Sequence, residues 1–158
     1  MTTRMPTRFH VTMRTHEVFA IAHDLANRLG RTEVTPLLLL LAIVREGRSP
    51  AVVVLHNLQV RLDTLERELE AELPAPAIAP VPAHEFSWTA SDERMLERAE
   101  SEAGELGHSY QGCEHLLLAF LRDEASTPAK LLAPHGIRFA NARAEVLRVL
   151  GTPLPDLM

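Results

Sequence analysis

Leu116-Leu117-Leu118-Ala119-Phe120-Leu121 is a run without a polar side chain. As a helix it has no face that water tolerates, so other helices must close around it on every side. Gly107 and a short polar turn precede it, with Glu114 and His115 at its mouth. Seventy-seven positions earlier the same order is present: Gly30, a short turn, Leu37 to Val44, then Arg45. A chain that holds the same buried helix twice reads as two copies of one small unit.

The rest of the chain follows that plan. Residues 1–8 read as a tail. From Thr12 to Leu29, Val18, Ile21, Ala22, Leu25, Ala26 and Leu29 keep helical spacing, with Thr12 placed to cap and Gly30 to stop. Thr35-Pro36 reads as N-cap plus first-turn proline of the buried helix 37–46, which Gly47 closes. A short helix over 50–57 follows, then a fourth in which Leu62, Leu65, Leu69 and Leu73 recur among Glu and Arg. Those leucines are too few for a coiled coil and read as core, and Glu66 to Glu72 as a solvated face.

Pro74, Pro76, Pro80 and Pro82 forbid helix and predict an extended connector over 74–85. After it the pattern restarts. Thr89-Ala90-Ser91-Asp92 has the form of a capping box with Asp in place of Glu. Met95, Leu96, Ala99, Ala103 and Leu106 form a stripe that ends at Gly107. A short helix is expected around Pro128 and a last one over 138–150, before a tail over 152–158. Matched pairs include Thr12/Thr89, Ala22/Ala99, Gly30/Gly107, Leu39-Leu40-Leu41-Ala42/Leu116-Leu117-Leu118-Ala119, Arg45/Arg122 and Arg61/Arg138. The expected architecture is all-α, two four-helix repeats (9–73 and 86–151) related by a pseudo-two-fold.

Composition narrows the function. Aromatic residues make up 4% of the chain and hydrophobic residues 46%, so Leu, Ala and Val fill the core, which suits helices. A formal net charge of -5 argues against a nucleic-acid partner. Pro36 to Val44, the longest apolar run, falls short of the roughly 20 residues a membrane span takes. The start MTTRMPTRFH lacks an apolar signal segment, and the single cysteine fits a reducing compartment, so the expected location is cytoplasmic.

The matched residues resemble the double repeat at the N-terminus of the Clp family of AAA+ unfoldases, the domain of ClpA, ClpB and ClpC. The resemblance spans 9–151. Its specific part is Leu106-Gly107-His108-Ser109-Tyr110, then Gly112-Cys113-Glu114-His115-Leu116-Leu117-Leu118. The family pattern is L-G-H-x-Y-x-G-T-E-H-I-L-L, from which Cys113 departs. The first repeat diverges more, with Thr35-Pro36-Leu37-Leu38 where the family has G-T-E-H. No Gly-x-x-x-x-Gly-Lys-Ser/Thr phosphate loop is present, so the expectation is a free-standing copy of a module normally joined to a motor.

The resemblance implies that Glu114, with Thr89 at the start of the first helix of its repeat, binds phosphorylated arginine. A carboxylate takes a guanidinium through paired charge-assisted bonds, and a helix N-terminus holds a phosphate. Thr12 is retained in the first repeat, but Leu37 replaces the glutamate, so that site is expected to be broken. The competing reading of Glu114 is a dipole-complementing first-turn carboxylate, and of His115 a group that satisfies buried backbone. Trp88 and Phe86 flank the same helix start, either as an exposed anchor for a partner peptide or as a staple of the connector onto the second repeat. Eight histidines invite a metal, but no ligand spacing supports one. Cys113 stands at a helix N-terminus, where the dipole favours a lower pKa. It has no second Cys, and His115 two positions on points away from it, so a Thr-like capping role is the better reading.

The expected function is a non-catalytic, cofactor-free protein-binding module of the Clp proteolysis system. It would recognise a tagged substrate, an adaptor or an unfoldase through the groove between the repeats, near Trp88, Thr89 and Glu114. Two alternatives stand beside it: an accessory subunit of the Clp protease ring, and a sink for small ligands or cyclic-peptide antibiotics.

Overall fold

The computed structural model describes residues 9–76 and 87–151. Phe86, Pro80, Pro82 and both predicted tails lie outside them. Four helices come from the first repeat: α1 (Met13–Arg28), α2 (Pro36–Glu46), α3 (Pro50–Asn57) and α4 (Leu62–Ala71). Four come from the second: α5 (Ala90–Glu105), α6 (Cys113–Arg122), α7 (Thr127–Leu132) and α8 (Phe139–Leu150), with a 3-10 turn at Ala133–His135 before α8. The described residues contain no strand, only one isolated bridge between Val11 and Gln111.

The predicted caps form. The Thr12 hydroxyl accepts from the Thr15 amide, and that of Thr35 from Leu38, with Pro36 in the first turn. Thr89 and Asp92 complete a reciprocal capping box. Each such cap contributes about 1 kcal/mol. Gly30 and Gly107 follow α1 and α5 at φ +73 and +75, a conformation costly for any residue with a Cβ, and so turn the chain sharply into α2 and α6.

α1 packs on α2 and α5 on α6 as antiparallel hairpins. The repeats then embrace reciprocally. α3 packs on α6 and α8 of the other repeat, and α7 on α2 and α4, which is what a two-fold relation demands. At the centre Leu39, Leu40, Leu41 and Ile43 of α2, and Leu116, Leu117 and Leu118 of α6, expose no surface. The two runs without a polar face are thus surrounded by helices. Leu65 and Leu69 of α4 are fully buried, while Leu62 and Leu73 lie at the edge of the core.

Candidate functional site

Among the described α-helices only α6 starts on a glycine: its N-cap is Gly112, without a side chain to offer the first-turn amides. Cys113 is therefore not the cap; it occupies the first helical position, 1% exposed, with Sγ 3.6 Å from Thr15 Oγ1. Burial pushes its thiol up to about 12. Glu114 is 1% exposed, and its Oε1 has no hydrogen-bond partner. The carboxylate folds back over Gly112, where a Cβ would stand 2.8 Å from Glu114 Cδ. Half-buried Tyr110 lies beside that carboxylate. Burial raises the Glu114 pKa; burial, and then the Glu114 charge, push the Tyr110 phenol up to about 12.

His115 is fully buried and accepts from the Gly112 amide at Nδ1, 2.9 Å away. Its Nε2 lies 2.9 Å from His108 Nδ1, and His108 Nε2 lies 2.7 Å from the carbonyl of Gly151 just past α8. Burial, with His108 adding to it, pushes His115 down to about 4. The reading of His115 as a group that satisfies buried backbone accords with these bonds.

The first repeat reaches this same helix end. The Thr12 amide donates to the Gln111 carbonyl (3.1 Å), and the Gln111 amide to the His10 carbonyl (2.8 Å). The His10 amide donates to Gln111 Oε1 (2.7 Å). The start of α1 and the start of α6 therefore meet across the repeats. The first turn of α1 has no acidic residue and carries Arg14, which pairs with Glu46 at 2.8 Å. A shallow depression of about 670 Å³ opens beside it, lined by Met13, Arg14, Glu17, Ile21, Glu46 and Arg48.

Thr89 lies elsewhere. It starts α5, whose 16 residues span about 24 Å. The other end of α5 leads into His108, which touches His115 in the first turn of α6. Thr89 and Glu114 thus stand at opposite ends of one hairpin. The start of α5 meets repeat one instead: Ser91 Oγ donates to the Val34 carbonyl (3.0 Å), and Asp92 Oδ2 sits 2.6 Å from His23 Nε2. Asp92 and Glu93 make that first turn acidic. Trp88 is half-buried, its ring 5.0 Å from Phe19 and 5.6 Å from His16 of α1. It fastens onto the first repeat, where the staple reading named the second. Leu37 is half-buried at the start of α2.

The resemblance, carried over residue by residue, pairs Thr89 with Glu114 within one repeat. It misses Gln111, Thr15 and the His23–Asp92 pair, whose partners come from the other repeat. The available signal is length: a 16-residue helix cannot have its start and the start of its antiparallel successor side by side. Among the described residues no three His, Cys, Asp or Glu side chains are grouped to hold a metal, and no helix is long and apolar enough to cross a membrane.

Residues 10–135 match the family model described as the Clp repeat N-terminal domain. The chaperone protein ClpB of Oceanobacillus iheyensis is 31% identical over 141 residues, which cover 89% of this chain and 17% of that protein. The negative regulator of genetic competence ClpC/MecB of Bacillus subtilis is 32% identical over 141 residues, with the same shares covered. The chain therefore spans 17% of the length of these two relatives. Among solved structures, the Hsp104 N-terminal domain from Candida albicans superposes with a TM-score of 0.68 at 18% identity, over 91% of this chain and 93% of that one.

Proposed function

The chain belongs to the family of Clp repeat N-terminal domains, and from that premise we propose that it is a protein-binding module for substrates or adaptors of a Clp unfoldase system. The finer reading is recognition of phosphoarginine on such a protein. The observation that carries it is the unpartnered, buried carboxylate oxygen of Glu114 at a helix start that faces the capped start of α1. The carboxylate supplies the acceptor for a guanidinium once Tyr110 swings aside. The phosphate belongs at the α1 end, whose first turn carries Arg14 and no carboxylate. The α5 end fits a phosphate poorly, because Asp92 and Glu93 in its first turn repel it. In this reading Thr12 of repeat one and Glu114 of repeat two share one ligand, and Thr89 faces the turn where Leu37 has replaced the glutamate.

Calorimetric titration with free phosphoarginine tests it. Heat is expected from the wild-type chain, lost in Glu114→Ala, weakened in Thr12→Ala and retained in Thr89→Ala. No heat, or the same heat in Glu114→Ala, overturns the phosphoarginine reading. Loss in Thr89→Ala with retention in Thr12→Ala overturns the cross-repeat assignment.

A further inference from the structure

A groove of about 790 Å³ opens on the second repeat, far from the start of α6. The C-terminal end of α6 forms one wall, α7 and the 3-10 turn another, and the start of α8 the third. Leu121, Ile137 and Phe139 supply an apolar floor. Three alanines, Ala129, Ala133 and Ala140, leave the space open. At the matched positions the first repeat has Val52, His56 and Asp63, all bulkier. The hollow is thus a departure from the duplicated plan.

Its charge departs as well. Exposed Lys130 and Arg138 stand on the rim, and Lys130 takes the place of Val53. The stretch 138–149 carries Arg138, Arg143 and Arg148 against one acid, Glu145. The matching stretch 61–72 carries two arginines against five carboxylates. In the first repeat Arg45 is held by Glu66 and Glu70 of α4. The positions equivalent to those acids are Arg143 and Leu147, and Arg122, equivalent to Arg45, turns instead to Glu102 and Glu105 while stacking on Phe139. One duplicated helix has therefore exchanged an acidic face for a basic one, in a chain whose net charge is -5. Among the described residues, Glu124 is the one carboxylate that lines the groove.

We propose that this groove docks an extended segment of a partner protein in which leucine-type side chains alternate with carboxylates. The apolar side chains fill the space above the alanines, and the carboxylates meet Lys130 and Arg138. The alanines provide room for side chains, and a cation pair beside an apolar floor favours an acidic amphipathic peptide over a neutral one. The groove is independent of the Glu114 site, since α6 separates the two by most of its roughly 15 Å length.

The test is fluorescence anisotropy on the full chain with two short labelled peptides, one alternating leucine with aspartate and one alternating leucine with lysine. The aspartate peptide is expected to bind and the lysine peptide not to. Lys130→Glu combined with Arg138→Glu should weaken binding at least about tenfold, as should Ala140→Trp, which plugs the groove from an exposed position without reversing charge. Glu114→Gln should leave it unchanged, which separates this site from phosphoarginine recognition. Raising salt should weaken it. Absence of binding, equal binding of both peptides, or indifference to the plug and the charge reversal overturns the proposal. So does equal displacement by inorganic phosphate or a short oligonucleotide, which would mark a nonspecific anion surface.

Discussion

His115 hands a proton towards His108: Nε2 of the first lies 2.9 Å from Nδ1 of the second, and the flanking bonds set the direction. The Gly112 amide donates to His115 Nδ1, so the His115 proton sits on Nε2. It is donated to His108 Nδ1, which leaves the His108 proton on Nε2, donated in turn to the Gly151 carbonyl. An extra proton on His115 would fall on Nδ1, where the Gly112 amide already donates. The relay ties the start of α6 to the end of α8.

Stability should therefore fall in acid. His115 has its folded pKa pushed down from 6.5 to about 4, so the unfolded chain binds the extra proton first. This contribution is complete above pH 6.5, is lost progressively as pH falls towards 4, and does not decline further below that. The full loss is about 3 kcal/mol. His115→Asn keeps an acceptor for the Gly112 amide, as Asn141 does for Arg138 at the start of α8. Urea unfolding across that window should be steeper in pH for the wild type than for the variant; equal slopes would count against the relay.

Glu114 works in the opposite sense. Burial holds its folded pKa above the ordinary carboxylate value, so stability is complete in acid and lost as pH rises through the folded pKa. Glu114→Gln removes that loss. The variant should melt higher at pH 8 and show a smaller advantage at pH 5. A constant difference at both values would contradict the assignment. A residue that costs stability where it sits is what a binding carboxylate is expected to do.

Cys113 should be unreactive in the folded chain. Its thiol is 1% exposed and pushed up to about 12, so little thiolate exists at pH 8. Ellman's reagent is expected to label it at least about a hundredfold more slowly than in denaturant, at a rate set by local opening. Labelling at the denatured rate would show the start of α6 to be open.

The buried pair His23 and Asp92 should couple the repeats. Asp92 Oδ2 lies 2.6 Å from His23 Nε2 and also accepts from the Thr89 amide. Asp92→Ala should cost about 3 kcal/mol, well above the roughly 1 kcal/mol of a lost cap in Thr89→Ala. A double-mutant cycle with His23→Ala should give a clear coupling energy. The exposed pair Asp24 and Arg28 on α1 serves as the control and should give none measurable. Additive costs for His23 and Asp92 would contradict a joint role.

Helix identity, order and caps were legible in the residues, because these depend on neighbours a few positions apart. Thr12, Thr35 and Thr89 announce helix starts, Gly30 and Gly107 announce stops, and two runs without a polar side chain dictate burial between helices. The duplication at a shift of 77 announced the two-fold plan. The candidate site was legible only by halves. Glu114 and Thr12 each stand out within a repeat, but the resemblance read along the chain pairs Glu114 with Thr89, and both lie in the second copy. Packing decided otherwise. A 16-residue helix carries Thr89 about 24 Å from the start of α6, and the reciprocal embrace of the repeats brings Thr12 there instead. Local chemistry is written along the chain; which copy completes which site depends on how two hairpins pack, and that is settled by burying both leucine helices at once.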